Sequence, residues 1–326
     1  MRFNRRSFLC GGGASVLSAI AGCPANALSD ETSVPCVEWL AIRIVAVASQ
    51  PSIQNSAGPV GFQPSATLLP GLQRDTTIHV QSACGSTMRS FLIDPCSDPQ
   101  VLLEQMDHLR IDLRFLDALV LSGDSQREYE ALHGFLNATN GCLKKDVEVI
   151  ARTPRPAKTT SSFAIGSGER ASVVEVGRSR IVAGQSLVVG SRQSAPSHLR
   201  SAGISLSEYQ LEPQARVKPT QISVCFVLVE KGLVVITSDN EGAADCVRAA
   251  QAASEVRDVH AIVGMNIGAG SNPAKVKSVL SELLEFNPAH IIVSDDIGGA
   301  SWNLDEARSF KKITSCSTST RIVFRT

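Results

Sequence analysis

The sequence is short of the residues from which metal and redox centres are usually assembled. Its six histidines, His79, His108, His133, His198, His260 and His290, form neither an H-x-H nor an H-x-x-x-H pair. A catalytic zinc site needs about three nitrogen, sulfur or oxygen ligands plus an open position, and no contiguous stretch supplies them. Nine cysteines are present but no C-x-x-C, which argues against zinc ribbons and dithiol redox motifs. No G-x-S-x-G nucleophile elbow occurs. Gly166-Ser167-Gly168 is too short for a phosphate loop and no lysine-serine follows it. Lys plus Arg and Asp plus Glu balance at 31 each, so charge does not point to nucleic acid or an anionic membrane as a partner. Beyond the N-terminal segment no apolar run approaches the roughly 20 residues of a spanning helix.

What is there begins with a targeting segment, residues 1–27, that lies outside fold reasoning. Arg2, Arg5 and Arg6 form a basic start, Asn4 to Leu9 reads N-R-R-S-F-L, and a glycine-rich apolar stretch follows from Gly11 to Ala21. The paired arginines resemble the twin-arginine export signal, which implies the twin-arginine translocase as a partner and a periplasmic or cell-envelope destination. Two processing outcomes are open. Ala25-Asn26-Ala27 fits a small-x-small cleavage site, and Ile20-Ala21-Gly22-Cys23 resembles a lipobox that would anchor the chain through a lipidated Cys23. Pro24 stands against the second. Twin-arginine cargo folds in a reducing compartment, so the remaining seven cysteines read mainly as small core residues. Cys84 and Cys96, flanking a strand pattern at Met88 to Ile93, are the pair to inspect for a disulfide.

Residues 28–326 are enough for one large domain. Val37 to Val47 reads as a half-buried strand, and Thr77 to Ser82 with Ser86 to Asp94 reads as a hairpin turning at Cys84-Gly85. Between them, residues 49–74 carry four prolines and read as a long loop. Within the hairpin, His79 reads as a packed or edge residue rather than a ligand. Pro99 to Arg110 has helical spacing behind a Ser97-Asp98-Pro99 start, and a strand pattern follows from Ile111. The strand run Leu116 to Leu121 ends in a polar loop, and a helix begins at Tyr129. Residues 152–220 read as hairpins and loops. In the last third, strands at Ile222 to Leu228, Leu233 to Thr237, Val259 to Val263, His290 to Val293 and Thr320 to Phe324 alternate with helices from Ala243 to Ser254 and Ala274 to Phe286. Strands that run into polar or glycine-rich loops put their chemistry in a crevice at the strand ends.

The loop A-L-V-L-S-G-D-S-Q-R-E-Y, Ala118 to Tyr129, resembles the signature loop of the metallo-β-lactamase superfamily, in which the same frame carries H-x-H-x-D-H. F-L-I-D, R-I-D-L-R-F-L-D-A-L-V-L-S and A-L-H-G-F-L resemble one branch, the dihydropterin-linked aminobenzene-ribofuranosyl phosphate synthases and their exported relatives. The resemblance implies an α/β fold of four layers, an αββα sandwich. It also implies where zinc would sit, and there the residues depart from the family. The four signature positions are Gly123, Ser125, Arg127 and Glu128, and the three later ligand loops carry Asn240, Ile267 and Asp295. Arg127, a permanent cation where the family has an aspartate, would repel a divalent ion.

The expectation is a degenerate site: no metal and no cofactor, with an unidentified small molecule or protein held in the crevice. The alternative is a working hydrolase of a small phosphate or ester. It would use zinc, manganese, magnesium or calcium on a carboxylate set of Asp94, Asp124, Glu128, Asp239, Asp295 and Asp296, or a metal-free carboxylate pair. On the degenerate reading Arg127 pairs with one or two of these carboxylates. Gly268 to Pro273, G-A-G-S-N-P, lacks the third glycine of a dinucleotide fingerprint, which leaves a Rossmann-like nucleotide binder as a third reading.

Overall fold

The computed structural model describes residues 34–46, 76–123, 125–139, 141–151, 170–173, 179–190, 222–238, 242–266, 273–294, 313–316 and 320–326. The N-terminal targeting segment, the 49–74 loop and most of the 152–220 middle therefore lie outside the described residues. Residues Val34–Thr326 make up one compact unit.

Two sheets carry the architecture. The first half supplies β1 (Cys36–Val37), β2 (Trp39–Ala46), β3 (Thr77–Cys84), β4 (Thr87–Ile93), helix α1 (Pro99–His108), β5 (Ala118–Val120), helix α2 (Gln126–Ala138), β6 (Glu148–Ala151) and β7 (Arg170–Val173). The second supplies β8 (Ser179–Val182), β9 (Ser186–Gly190), β10 (Ile222–Leu228), β11 (Gly232–Ile236), helix α3 (Ala243–Ser254), β12 (Val259–Asn266), helix α4 (Pro273–Leu284), β13 (His290–Ser294), β14 (Ile313–Cys316) and β15 (Arg321–Arg325). A seven-stranded sheet runs β15-β2-β3-β4-β5-β6-β7, and an eight-stranded sheet runs β14-β13-β12-β11-β10-β9-β8 with β1 beside β10. Strands β4 to β7 and β11 to β14 pair in parallel, which requires crossovers; α1 joins β4 to β5, α2 joins β5 to β6, α3 joins β11 to β12 and α4 joins β12 to β13.

The alternation of side chains decides the layers. Leu40, Ile42 and Ile44 of β2, Phe91 and Ile93 of β4, and Val224, Phe226 and Leu228 of β10 point between the sheets. Phe91 and Phe226 meet there edge to face at 5.4 Å. Leu92 and Leu119 face the other way, under Leu102 and Met106 of α1 and Phe135 of α2. Cys225, Val235, Ile262 and Ile291 lie under Ala243, Val247 and Leu283 of α3 and α4. Three apolar layers between four structural ones make an αββα sandwich, and each fully buried Leu or Ile contributes about 1.5–3 kcal/mol.

Several expectations are corrected. Residues from Ile111 do not continue as a strand: Arg110 turns into left-handed backbone at φ +57°, and Asp112 caps a short 3-10 turn over Leu113–Phe115. The strand therefore begins only at Ala118. Helix α2 starts at Gln126, three residues before Tyr129, because Ser125 caps it. Cys84 and Cys96 are both free thiols. Cys84 pairs with Thr87 at the hairpin turn, whereas Cys96 follows the far end of β4, so a whole strand separates them. That is far beyond the roughly 7 Å Cα limit for a disulfide. Strands β6, β8 and β14, short and without clear alternation, escaped the sequence reading. His79 is buried as expected, its Nε2 2.9 Å from the Ser90 hydroxyl.

Candidate functional site

The ends of β4, β5 and β11 meet where the two sheets open. Asp94 follows β4 with φ +52°, a left-handed conformation tolerable for aspartate and costly for most residues. Three backbone-level contacts hold it there. Its N–H donates to the Val120 carbonyl at 2.9 Å, the Thr77 hydroxyl donates to its carbonyl at 2.7 Å, and its carboxylate accepts from the Ser122 N–H at 2.7 Å. The other carboxylate oxygen lies 2.6 Å from Ser122 Oγ, which in turn lies 2.6 Å from Ser238 Oγ just past β11. A continuous hydrogen-bonded line thus runs from one sheet to the other. The Ile222 N–H, donating to the Ser122 carbonyl at 2.8 Å, ties the same point to β10.

Asp94 is partly buried, and desolvation pushes its carboxyl up from an ordinary 3.8 to about 6. The Ser122 hydrogen bonds pull back toward ionisation, the Glu128 charge pushes further up, and Ser238 pulls back again. Near neutral pH the site holds a carboxyl that takes or gives a proton, wired to two hydroxyls. While Asp94 is ionised Ser122 donates to it; once Asp94 is protonated the donors along the line can reverse.

The signature positions have been put to other uses. Ser125 and Glu128 form a capping box on α2: the Glu128 N–H donates to Ser125 Oγ at 3.3 Å, and the Glu128 carboxylate accepts from the Ser125 N–H at 2.8 Å. That carboxylate also accepts from Ser125 Oγ at 2.6 Å and lies against Gly123, where a Cβ would collide with it. Arg127 donates to Ser97 Oγ at 3.5 Å. Asp124, Asp239, Asn240, Ile267, Asp295 and Asp296 lie outside the described residues, so the carboxylate set is seen only through Asp94 and Glu128. Among the described residues no three of His, Cys, Asp and Glu come together as a metal set.

The sequence reading missed Ser122 and Ser238. The signal available was position: each is a hydroxyl residue at the point where an apolar strand gives way to a polar loop.

The chain is similar to the metallo-β-lactamase fold protein YhfI from Bacillus subtilis, at 9% identity, a TM-score of 0.50, and coverage of 87% of this chain and 99% of that one. It is also similar to Tm1679, a metal-dependent hydrolase of the β-lactamase superfamily, at 12% identity, a TM-score of 0.50, and coverage of 86% and 98%. The chain has the metallo-β-lactamase fold. A third similar structure, a diphosphatase from the PhnP family, gives 10% identity, a TM-score of 0.50, and coverage of 88% and 97%. No family model matches the sequence, and no curated protein matches it.

The fold brings the expectation of zinc, and the described residues at the signature loop do not fit that ion. Gly123 has no donor atom. Ser125 and Glu128 satisfy each other and the α2 N-terminus. The Asp94 carboxyl is drawn toward its neutral form and already accepts two hydrogen bonds from Ser122. Zinc bound here would have to break the helix cap first.

Proposed function

We propose that this chain is an exported, non-catalytic binding protein built on the metallo-β-lactamase fold, holding a small molecule or a protein segment in the crevice at the strand ends. The observation that carries the reading is the Ser125–Glu128 capping box. Two positions that would ligate metal in the superfamily are hydrogen-bonded to one another, so the loop is complete without an ion. Export rests on the Arg5-Arg6 pair and the apolar stretch behind it. Replacing both arginines by lysine is expected to hold the precursor in the cytoplasm, and unchanged export of that variant would remove this part of the proposal.

A second reading keeps a hydrolase of a small phosphate or ester, and one observation favours it. Asp94, with its carboxyl near 6 and its hydroxyl line, is suited to moving a proton. Metal analysis tests the metal-dependent form of this second reading. The mature domain, folded with zinc, manganese, magnesium and calcium present, is expected to carry none of them in stoichiometric amount by elemental mass spectrometry. One equivalent of zinc or manganese in folded protein would overturn the binding-protein reading.

A further inference from the structure

On the outer face of the seven-stranded sheet, away from the crevice, two arginines stand directly opposite each other. Arg321 on edge strand β15 pairs in register with Arg43 on β2, and Arg43 pairs with His79 on β3. Ile42, Ile44, Ile78, Ile322 and Phe324 point inward, so the alternating positions Arg43, His79 and Arg321 share the outward face. Directly opposed residues have Cβ atoms about 4.5–5.5 Å apart, and like charges so placed destabilise a sheet.

The charges are only slightly offset by the protein itself. Arg43 Nη1 donates to the Leu109 carbonyl at 2.7 Å, just past the C-terminus of α1, where the helix dipole welcomes a cation. The Arg321 guanidinium lies over the Trp39 ring, 5.8 Å from its centroid. Neither arginine has a carboxylate at ion-pair distance among the described residues. Both are half-buried, and Arg325 continues the positive face further along β15. The strain registers on neighbouring groups: burial, then Arg321, lowers the pKa of Arg43. Burial, then Arg43 and Arg321, drives His79 down to about 3, leaving it neutral at every physiological pH.

A pair of guanidinium forks with most donors uncommitted among the described residues, one of them over an aromatic ring, is the chemistry that recognises a dianionic tetrahedral oxyanion. Its oxygens can take bidentate hydrogen bonds from both forks while its charge cancels both cations. We propose that Arg43 and Arg321, floored by Trp39, bind a phosphate group on the outer face of the seven-stranded sheet, at a site separate from the crevice. The phosphate belongs to a soluble compound or to a lipid headgroup. The site does not depend on whether the crevice binds or catalyses.

Calorimetric titration of the mature protein with inorganic phosphate, at fixed ionic strength in a chloride background, tests the site. One saturable site per chain is expected. Arg321→Gln, at a half-exposed edge position that leaves the Leu109 bond alone, is expected to weaken it at least tenfold without lowering the melting temperature in chloride. Arg43→Lys keeps the charge but loses the fork, and is expected to weaken it less. Absence of saturable binding, or equal affinity in all three proteins, would overturn the proposal. Phosphatidic acid vesicles separate the two sources. Co-sedimentation that Arg321→Gln abolishes assigns the phosphate to a lipid; phosphate binding without co-sedimentation assigns it to a soluble ligand.

Discussion

The two strand-to-helix junctions that face each other across the crevice are finished in opposite ways. From β5 to α2, the side chains of Ser122, Ser125 and Glu128 all have partners: Ser122 joins Asp94 and Ser238, while Ser125 and Glu128 close the helix start. From β11 to α3 the helix start at Gly242 has no side-chain cap. Nearby, the buried hydroxyls of Thr237 and Ser223 have no hydrogen-bond partner among the described residues. Those two residues lie one position beyond the paired Val224 and Ile236 on neighbouring strands. The first junction is a self-sufficient helix entrance, and the second is not closed in the same way among the described residues.

Asp94 joins the two junctions, and its titration should give the largest effect. Its carboxyl keeps a proton to about pH 6 when folded but only to about 3.8 when unfolded. The contribution to stability is therefore fully present below about pH 4 and is lost as pH rises through 6, because only the unfolded chain then ionises freely. The full span corresponds to about 3 kcal/mol. Asp94→Asn, which cannot ionise, should gain on the parent above pH 7 and lose that advantage near pH 4, measured by urea unfolding across the range. Parallel profiles for the two proteins would mean that Asp94 is not the titrating group.

Removing the cap probes the first junction by itself. Ser125→Ala deletes the hydroxyl that accepts from the Glu128 N–H and donates to its carboxylate, and should cost about 1 kcal/mol. The same loss is expected with chelator or with added zinc, since the cap and not an ion closes the loop. A cost that appears only in zinc-loaded protein would place Ser125 in a metal site instead.

The sequence carried the fold well for concrete reasons. Runs such as Ile222 to Leu228 and the helical spacing of Ala243 to Ser254 matched β10 and α3, because a continuous apolar run marks a fully buried strand and amphipathic helices advertise their period. The hairpin of β3 and β4 was marked by Gly85, which takes φ +56° at the turn. The site was harder to read. That Gly123, Ser125 and Glu128 depart from the histidine-rich frame was visible in residue type alone. That Ser125 and Glu128 form a capping box was also present as an S-x-x-E spacing, but the metal frame masked it. The Asp94–Ser122–Ser238 line joins residues up to 144 positions apart across two sheets, and no local pattern encodes such a meeting. The opposed arginines depend on the register of three strands drawn from both ends of the chain, which periodicity cannot supply.

The smallest effect, and the one of opposite sign, belongs to the second junction. A buried hydroxyl without a partner has lost its water and gained nothing in return, so deleting it should not destabilise the protein. Thr237→Val preserves the branched shape at a position only 1% exposed and removes the orphaned oxygen, while the backbone bond from the Thr237 N–H to the Val263 carbonyl remains. The variant should be equal to the parent or up to about 1 kcal/mol more stable in urea unfolding. A clear loss of stability would show that the hydroxyl is engaged in solution, by water or by a ligand, and that this junction too has been closed. Set beside Ser125→Ala, the pair of signs separates a helix entrance closed by its own side chains from one that carries polar groups without partners among the described residues.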